Sequence, residues 1–186
     1  MAKDYTNQAR TAVRRSDREV EDEAWIKQFL TETALATMAT SHEDQPFVNS
    51  NIFVYDADRH CIYIHTARVG RTRGVLEINP KVCLTVMEMG RFLPAPEALE
   101  FSVEYSSVVV FGNVKIVEDT DEAKSALQLL LDKYAPHLKP NQDYRPPVDE
   151  ELKRTSVFRI DIEEWSGKRK SVADDFPGAY FYEDVT

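Results

Sequence analysis

Strand-like runs are the feature that most constrains the fold of this chain. Six stretches are rich in β-branched, aromatic and other apolar residues and are bounded by turn residues. They are residues 34–40, 47–55, 61–66, 82–89, 104–117 and 155–163. The first three follow one another through short turns, as in a meander, and Gly112 in the fifth predicts a bend or a bulge. Because strands and helices do not alternate, the sequence predicts a mainly β fold, a six-stranded antiparallel barrel with a few helices.

Three helices are predicted between these strands. Ser16 and Glu19 fit a capping box in front of a helix over residues 20–31. A short helix over residues 69–78 ends at an Asn-Pro pair. A third, leucine-rich helix begins after a cap at Asp119 or the threonine that follows it. We expect the second helix to close one end of the barrel and the third to cover a side.

Charge and composition exclude several classes of function. The 186-residue chain has a net charge of -9, and nucleic-acid backbones require a basic face, so we expect no nucleic-acid partner. Cys61 and Cys83 lie in apolar runs and are expected to be buried thiols rather than a disulfide. The histidine spacing does not fit a zinc site, and no metal is predicted. No apolar run resembles a signal peptide or a membrane span, which favours a cytoplasmic protein.

Three segments are expected along the chain. Residues 1–15 are polar and form a flexible N-terminal segment, and residues 16–165 form the barrel domain. Residues 166–186 form a charged tail that ends in aromatic residues. Aromatic side chains are unusual in a disordered terminus, so the tail is predicted to dock at a dimer interface.

An anion site is predicted where the third strand meets the second helix. Residues 62–73 read IYIHTARVGRTR: a strand ends in small polar residues, and a glycine and two arginines precede the helix body. Backbone N–H groups at a helix N-terminus, a hydroxyl and a guanidinium together form a phosphate site. The alternative is a basic loop that only connects the strand to the helix.

The order of several short motifs resembles a known family. LAT, YD, IYIHTA-x-x-GR, NP-x-V-x-L, SVVVFG-x-V and R-I-x-I-x-x-W-x-GK occur in sequence between residues 35 and 168. This set resembles the pyridoxamine 5′-phosphate oxidase-like family of FMN-binding split barrels, nearest the branch that includes nitroimidazole-resistance proteins. The resemblance implies a split β-barrel that binds FMN, acts on a small-molecule substrate and works as a homodimer.

The resemblance implies a set of phosphate-binding residues after the third strand. The matching positions are His65, Thr66, Ala67, Arg71 and Thr72. Arg71 is the residue that would hold the phosphate through two parallel hydrogen bonds. Thr72 departs from the pattern, since the family usually has lysine there, so one positive charge is missing. Arg73 replaces that charge only if the first turn of the helix is distorted.

The resemblance also implies contacts to the flavin ring. The ring would lie along the second strand, beside Asn49, Ser50 and Asn51, where the oxidase itself carries basic residues. Further implied contacts come from later in the chain, at Ser107, Trp165 and Lys168. In the family the tryptophan approaches the flavin across the dimer interface. The oxidase's arginine-rich C-terminal substrate motif is missing, so oxidation of pyridoxamine 5′-phosphate itself is not expected.

Alternatives remain for two of these residues and for the function. His65 is a cofactor contact, a structural histidine bonded to a carbonyl, or a haem ligand. Trp165 is a flavin contact or a packing residue. A bound flavin performs the redox chemistry, so no catalytic side chain is assigned. The first hypothesis is an FMN-dependent oxidoreductase for an unidentified small molecule. The alternatives are a flavin- or haem-binding carrier or sensor without turnover, or a member that uses a deazaflavin or haem.

Overall fold

The computed structural model describes residues 2–185, apart from the side chains of residues 2, 3 and 5. Its strands are β1 (Glu19–Val20), β2 (Ala36–His42), β3 (Gln45–Asn51), β4 (Val54–Asp56), β5 (Cys61–Ala67), β6 (Lys81–Leu93), β7 (Ser102–Ile116) and β8 (Thr155–Lys170). Its helices are α1 (Glu23–Glu32), α2 (Arg71–Ile78), α3 (Thr120–Tyr134) and α4 (Asp149–Leu152). Short 3-10 segments occupy Ala2–Asn7, Ser16–Arg18, Ala98–Glu100 and Tyr182–Val185. All strands but β1 and β4 have at least seven residues, and the predicted antiparallel split barrel is confirmed.

The sheet is curled because β3 and β4, which follow one another along the chain, lie at its opposite edges. The strand order is β3-β2-β6-β7-β8-β5-β4, with β1 paired to β8. The predicted second strand is therefore two strands, and the prediction of a three-stranded meander is wrong. The break is at Phe53, whose backbone N–H donates to the Tyr134 hydroxyl at 3.0 Å. The same hydroxyl donates to the carbonyl of Ala34 at 2.5 Å, so α3 links the segment before β2 to the break between β3 and β4.

The start of α1 differs from the predicted capping box. Residues Glu19 and Val20 form β1 and pair with Lys168 and Gly167 of β8. The helix begins only after Asp22, whose carboxylate accepts the Ala24 backbone N–H at 2.9 Å. Pairing with a distant strand therefore overrides the local helix signal.

The other two predicted helices lie where they were expected. The predicted cap of α3 at Asp119 is confirmed by its 2.8 Å bond from the Glu122 N–H. α2 packs against β2, and α3 packs against β4, β5 and β8. A main hydrophobic cluster fills the barrel, and a second cluster lies under α3. Cys61 is buried and Cys83 is half-buried, and both are free thiols. No described helix is long and apolar enough to cross a membrane.

The predicted irregularity at Gly112 is a β-bulge between β7 and β8. Phe111 pairs with Glu164, whereas Gly112 pairs with Ile162, so Glu163 is the extra residue. A Cβ atom on Gly112 would lie 2.3 Å from the carbonyl oxygen of Asp161. The bulge thus depends on a residue without a side chain.

The C-terminal tail is attached to its own chain. β8 runs to Lys170, past the predicted strand end at residue 163, so residues 166–170 belong to the sheet. Arg91 forms an ion pair with Glu104, with Nε and Oε2 2.8 Å apart, and donates to the carbonyl of Asp174 at 2.9 Å. The guanidinium lowers the pKa of Glu104 to about 2. Phe92 stacks on Tyr180, with ring centroids 5.7 Å apart.

The N-terminal segment contacts the sheet, and one residue at each end of the chain is not described. Within the N-terminal segment, Arg10 donates to Glu164 from Nη2 at 2.8 Å, which ties residues before the barrel to β8. Residues 1 and 186, at the ends of the N-terminal segment and of the tail, lie outside the described residues. Docking of the tail at a dimer interface stays a prediction.

Candidate functional site

The N-terminus of α2 has no side-chain cap. Helices α1 and α3 begin with an aspartate whose carboxylate accepts a backbone N–H. α2 begins after Gly70, which offers no such group. The first N–H groups of a helix have no partner within the helix, and the helix dipole adds positive potential there. This end of α2 is therefore suited to bind an anion.

Two of the three nearby arginines are occupied by other contacts. Arg73 donates from Nε to Glu77 Oε1 at 2.7 Å and from Nη1 to the Ser156 hydroxyl at 2.7 Å. Arg68 donates from Nη1 to the carbonyl of Leu152 at 3.1 Å. The first turn of α2 is not distorted in a way that frees Arg73. Arg73 therefore does not replace the charge that Thr72 leaves out.

Arg71 is the arginine that remains available. Within residues 2–185 its side chain has neither a hydrogen bond nor an ion pair, and its guanidinium carbon lies 5.4 Å from the centroid of the Phe47 ring. It occupies the first position of α2 and is exposed. An unpaired guanidinium at an uncapped helix N-terminus is the arrangement that binds phosphate.

An asparagine of β3, Asn49, contacts the first turn of α2. Thr72 is buried, and its hydroxyl accepts a hydrogen bond from Nδ2 of Asn49 at 3.4 Å. The same nitrogen lies 3.3 Å from Oδ1 of Asn51. Ser50 alternates to the other face of β3 and bonds to the hydroxyl of Thr37 at 3.1 Å. The structure therefore brings Asn49 to α2, with Asn51 bonded to Asn49, and directs Ser50 to the other face of β3.

His65 contains a buried nitrogen without a partner. In the described part of the chain, Nδ1 of His65 makes no hydrogen bond, so the predicted bond to a carbonyl is not seen at this atom. Burial lowers the pKa of His65, which favours the neutral ring. Thr66 is the next residue on β5 and donates to the carbonyl of Ala67 at 2.9 Å. An unsatisfied buried nitrogen in this strand end is a group that a bound ligand or water would satisfy.

A cavity of about 520 Å³ extends from Arg71 along α2. It lies between α2 and the turn that joins β2 to β3, and its volume is typical of small-molecule sites. Its lining residues are His42, Glu43, Gln45, Phe47, Arg71, Gly74, Val75 and Ile78. Sequence reasoning missed all of these except Arg71. The helical spacing of the four residues from α2 was the available signal, but only the fold shows what faces them.

The remaining predicted residues lie elsewhere on the sheet. Ser107 and Lys168 pair across β7 and β8 and share the outer face, where Lys168 Nζ lies 5.7 Å from the Tyr105 ring centroid. Trp165 faces inward and packs against the main cluster, with its ring centroid 4.7 Å from that of His60. Within one protomer, therefore, the predicted phosphate-binding residues do not share a pocket with Ser107 or with Trp165.

Fold and site together define a split-barrel protein in which an exposed arginine lies at the uncapped N-terminus of a helix. A family model described as pyridoxamine 5′-phosphate oxidase matches residues 22–169, and the chain belongs to this family, as its motifs predicted. No curated protein sequence matches the chain.

Solved structures share the fold across most of the chain. The flavocytochrome Anf3 from Azotobacter vinelandii is 26% identical, with a TM-score of 0.76 over 90% of this chain and 78% of that chain. The FAD and heme binding protein from Mycobacterium smegmatis is 21% identical, with a TM-score of 0.75 and coverages of 85% and 76%. A putative 5-nitroimidazole antibiotic resistance protein from Bacteroides thetaiotaomicron is 21% identical, with a TM-score of 0.67 and coverages of 81% and 86%.

Proposed function

We propose that this protein is a flavin-dependent oxidoreductase that holds the FMN moiety of its cofactor by the phosphate at the N-terminus of α2. The observation that carries the proposal is the unpaired guanidinium of Arg71 beside an uncapped helix. Family membership supports it, as do the names of the structural neighbours, which include FAD-binding and flavocytochrome proteins. The substrate is a small molecule other than pyridoxamine 5′-phosphate.

The residues of this chain have binding and orienting roles in the proposal. Arg71 and the first N–H groups of α2 bind the phosphate, and the hydrogen bond from Asn49 to the buried Thr72 fixes the first turn of α2 against β3. When bound, the flavin ring supplies the electron-transfer chemistry. Backbone groups of β3 orient the ring. No described side chain is assigned a proton-transfer role.

The absorption spectrum of the gently purified protein is the experiment that tests this function. We expect flavin bands that bleach when NADPH or NADH reduces the flavin anaerobically and that return when a quinone or nitroaromatic acceptor reoxidises it. Flavin bands without turnover would indicate a carrier. A haem band with no flavin would contradict the proposal. His65 does not favour haem, because a ligating histidine normally donates from its other ring nitrogen, and Nδ1 has no partner among described residues.

Pyridoxamine 5′-phosphate is expected to be a poor substrate. A phosphorylated amine needs a cationic pocket separate from the one that binds the flavin phosphate. Residues 48–53 contain no cation, and the chain has a net charge of -9. Oxygen consumption by flavin-loaded protein is expected to stay near background with this substrate. Oxidation of NADPH or NADH is expected to be measurable when a quinone or nitroaromatic is the acceptor. Rapid formation of the aldehyde product would refute the exclusion.

A homodimer is proposed as the working unit. The outer face of the sheet exposes apolar side chains, with Val48 57%, Met87 62% and Met89 51% accessible. Met87 pairs with Ser107, and Ser107 pairs with Lys168 on the next strand. This apolar surface is therefore continuous with Lys168 on the outer face. A second copy that covers this face would bring those residues to a shared site.

Sedimentation at micromolar concentration tests the dimer. We expect a dimer for the native chain and a monomer for Met87→Lys, because a buried unpaired charge would destabilise the interface. Leu99→Lys is the matched control, since Leu99 is also exposed but lies outside the sheet. A native chain that sediments as a monomer while it holds flavin, or a Met87→Lys dimer, would refute the proposed interface.

A further inference from the structure

The outer face of the sheet contains a phenol whose proton has no acceptor among the described residues. Tyr105 lies on β7 and is half-buried. Its hydroxyl oxygen accepts a hydrogen bond from Nη1 of Arg18, with the two atoms 3.5 Å apart. A tyrosine hydroxyl both accepts and donates hydrogen bonds, so the contact with Arg18 leaves its O–H group free. This O–H group is therefore available to a ligand.

Two cations lie against this phenol. The guanidinium carbon of Arg18 and Nζ of Lys168 lie 6.0 Å and 5.7 Å from the ring centroid of Tyr105. Asp17 does not neutralise Arg18, because it lies 3.8 Å from Arg18 Nε and forms its short ion pair, at 2.7 Å, with Arg15. Burial raises the pKa of Tyr105, but the two cations outweigh this effect and lower it. A more acidic phenol is a stronger hydrogen-bond donor to a negatively charged oxygen.

Methionine side chains lie beside Tyr105 on the same face of the sheet. Met89 is directly opposite Tyr105 on β6, and Met87 is opposite Ser107. Residues directly opposite one another in antiparallel strands share a face, and both methionines are exposed. Thioethers make favourable contacts with aromatic rings. Tyr105 and Met89 also line a cavity of about 200 Å³. The face therefore offers an apolar surface for a planar ring and a hydrogen-bond donor for an oxygen on its edge.

We propose that Tyr105 binds the substrate oxygen that becomes negatively charged during reduction, and that the substrate is a quinone. The inference rests on the proposed oxidoreductase function and names the substrate class for it. A quinone that accepts a hydride from the reduced flavin at one oxygen is left with a phenolate at the other, and a proton from water completes the hydroquinone. The two electrons come from NADPH or NADH. Tyr105 donates to the phenolate oxygen, and Arg18 and Lys168 stabilise its charge.

Reoxidation of the reduced flavoprotein by two different acceptors tests this role. Tyr105→Phe is expected to slow the reduction of benzoquinone about tenfold to over a hundredfold, the range for one hydrogen bond to a charged group. The rate with ferricyanide should not change, because ferricyanide accepts one electron and develops no charged carbonyl oxygen. Flavin affinity should also stay the same. Tyr144→Phe is the matched control, since that hydroxyl also accepts one side-chain hydrogen bond, from Gln128, but lies on the loop after α3.

Binding of para-nitrophenolate to the flavin-loaded protein gives a readout without turnover. Its charged oxygen imitates the quinone oxygen after hydride transfer, and its absorption band shifts when that oxygen is hydrogen-bonded. Tyr105→Phe is expected to weaken this binding about tenfold to over a hundredfold. Arg18→Gln should cause a smaller loss, and less of a loss still in the Tyr105→Phe background, because Arg18 acts partly through the phenol.

The outcomes separate this inference from the function on which it rests. Equal benzoquinone rates for the native chain and Tyr105→Phe would overturn the inference alone. Equal losses with benzoquinone and ferricyanide, or equal affinities for para-nitrophenolate, would also overturn it and leave the proposed function standing. A protein that binds no flavin, or a flavoprotein that passes electrons to neither acceptor, would overturn the proposed function as well.

Discussion

Replacement of Arg71 by alanine is expected to weaken flavin binding roughly tenfold to over a hundredfold. The guanidinium of Arg71 has no carboxylate partner among the described residues, so its charge is available to a phosphate. A hydrogen bond to a charged group contributes about 1.5–3 kcal/mol, which corresponds to that range of affinity. The change should appear in the dissociation constant measured by quenching of flavin fluorescence. The fold should remain intact, because Arg71 is exposed and anchors no other element.

Arg68→Ala is the matched control for this experiment. Arg68 lies three residues earlier, before α2 begins, and donates to the carbonyl of Leu152. Its loss is expected to change flavin affinity by less than about threefold, since a screened surface charge contributes little. Arg71→Lys should be intermediate, because it keeps the charge and loses the paired donors. Equal affinities for Arg71→Ala and Arg68→Ala would show that the phosphate is held elsewhere.

Gly112→Ala is expected to destabilise the protein by about 3 kcal/mol, at the upper end of typical overpacking. The new Cβ atom would lie 2.3 Å from the carbonyl oxygen of Asp161 and 3.1 Å from Cγ2 of Ile160. The first contact is with the backbone, so it is relieved only if β7 and β8 separate at the bulge. The measurement is the free energy of unfolding from urea titration at fixed protein concentration.

Gly74→Ala is the same substitution at another position, and it is expected to have the opposite effect on stability. A Cβ atom there meets nothing within 4 Å, and the residue lies inside α2. Alanine is favoured over glycine in a helix by about 0.5–1 kcal/mol, so this variant should be more stable than the native chain. If Gly112→Ala and Gly74→Ala unfold at the same urea concentration, steric exclusion at the bulge is not what position 112 requires.

Several features of this protein follow from short stretches of sequence. Apolar runs between turn residues are a local signal, and they located the six long strands. The cap at Asp119 and the bulge at Gly112 also depend on one or two residues, and both predictions were confirmed. The ordered motifs between residues 35 and 168 identified the family. The sequence also selected residues 62–73 as an anion site, where Arg71 lies at the start of α2.

Tertiary structure decided the rest, because the deciding partners are distant in the chain. Tyr134 divides one predicted strand in two, and β8 converts the predicted start of α1 into a strand. Ile162 and Trp165 share the inner face only because the bulge adds a residue between them, which reverses the alternation that the sequence implies. Ser156 and Glu77 accept hydrogen bonds from Arg73, whereas the Arg71 side chain has no such partner among the described residues. The cavity beside Arg71 is formed where α2 meets the β2–β3 turn.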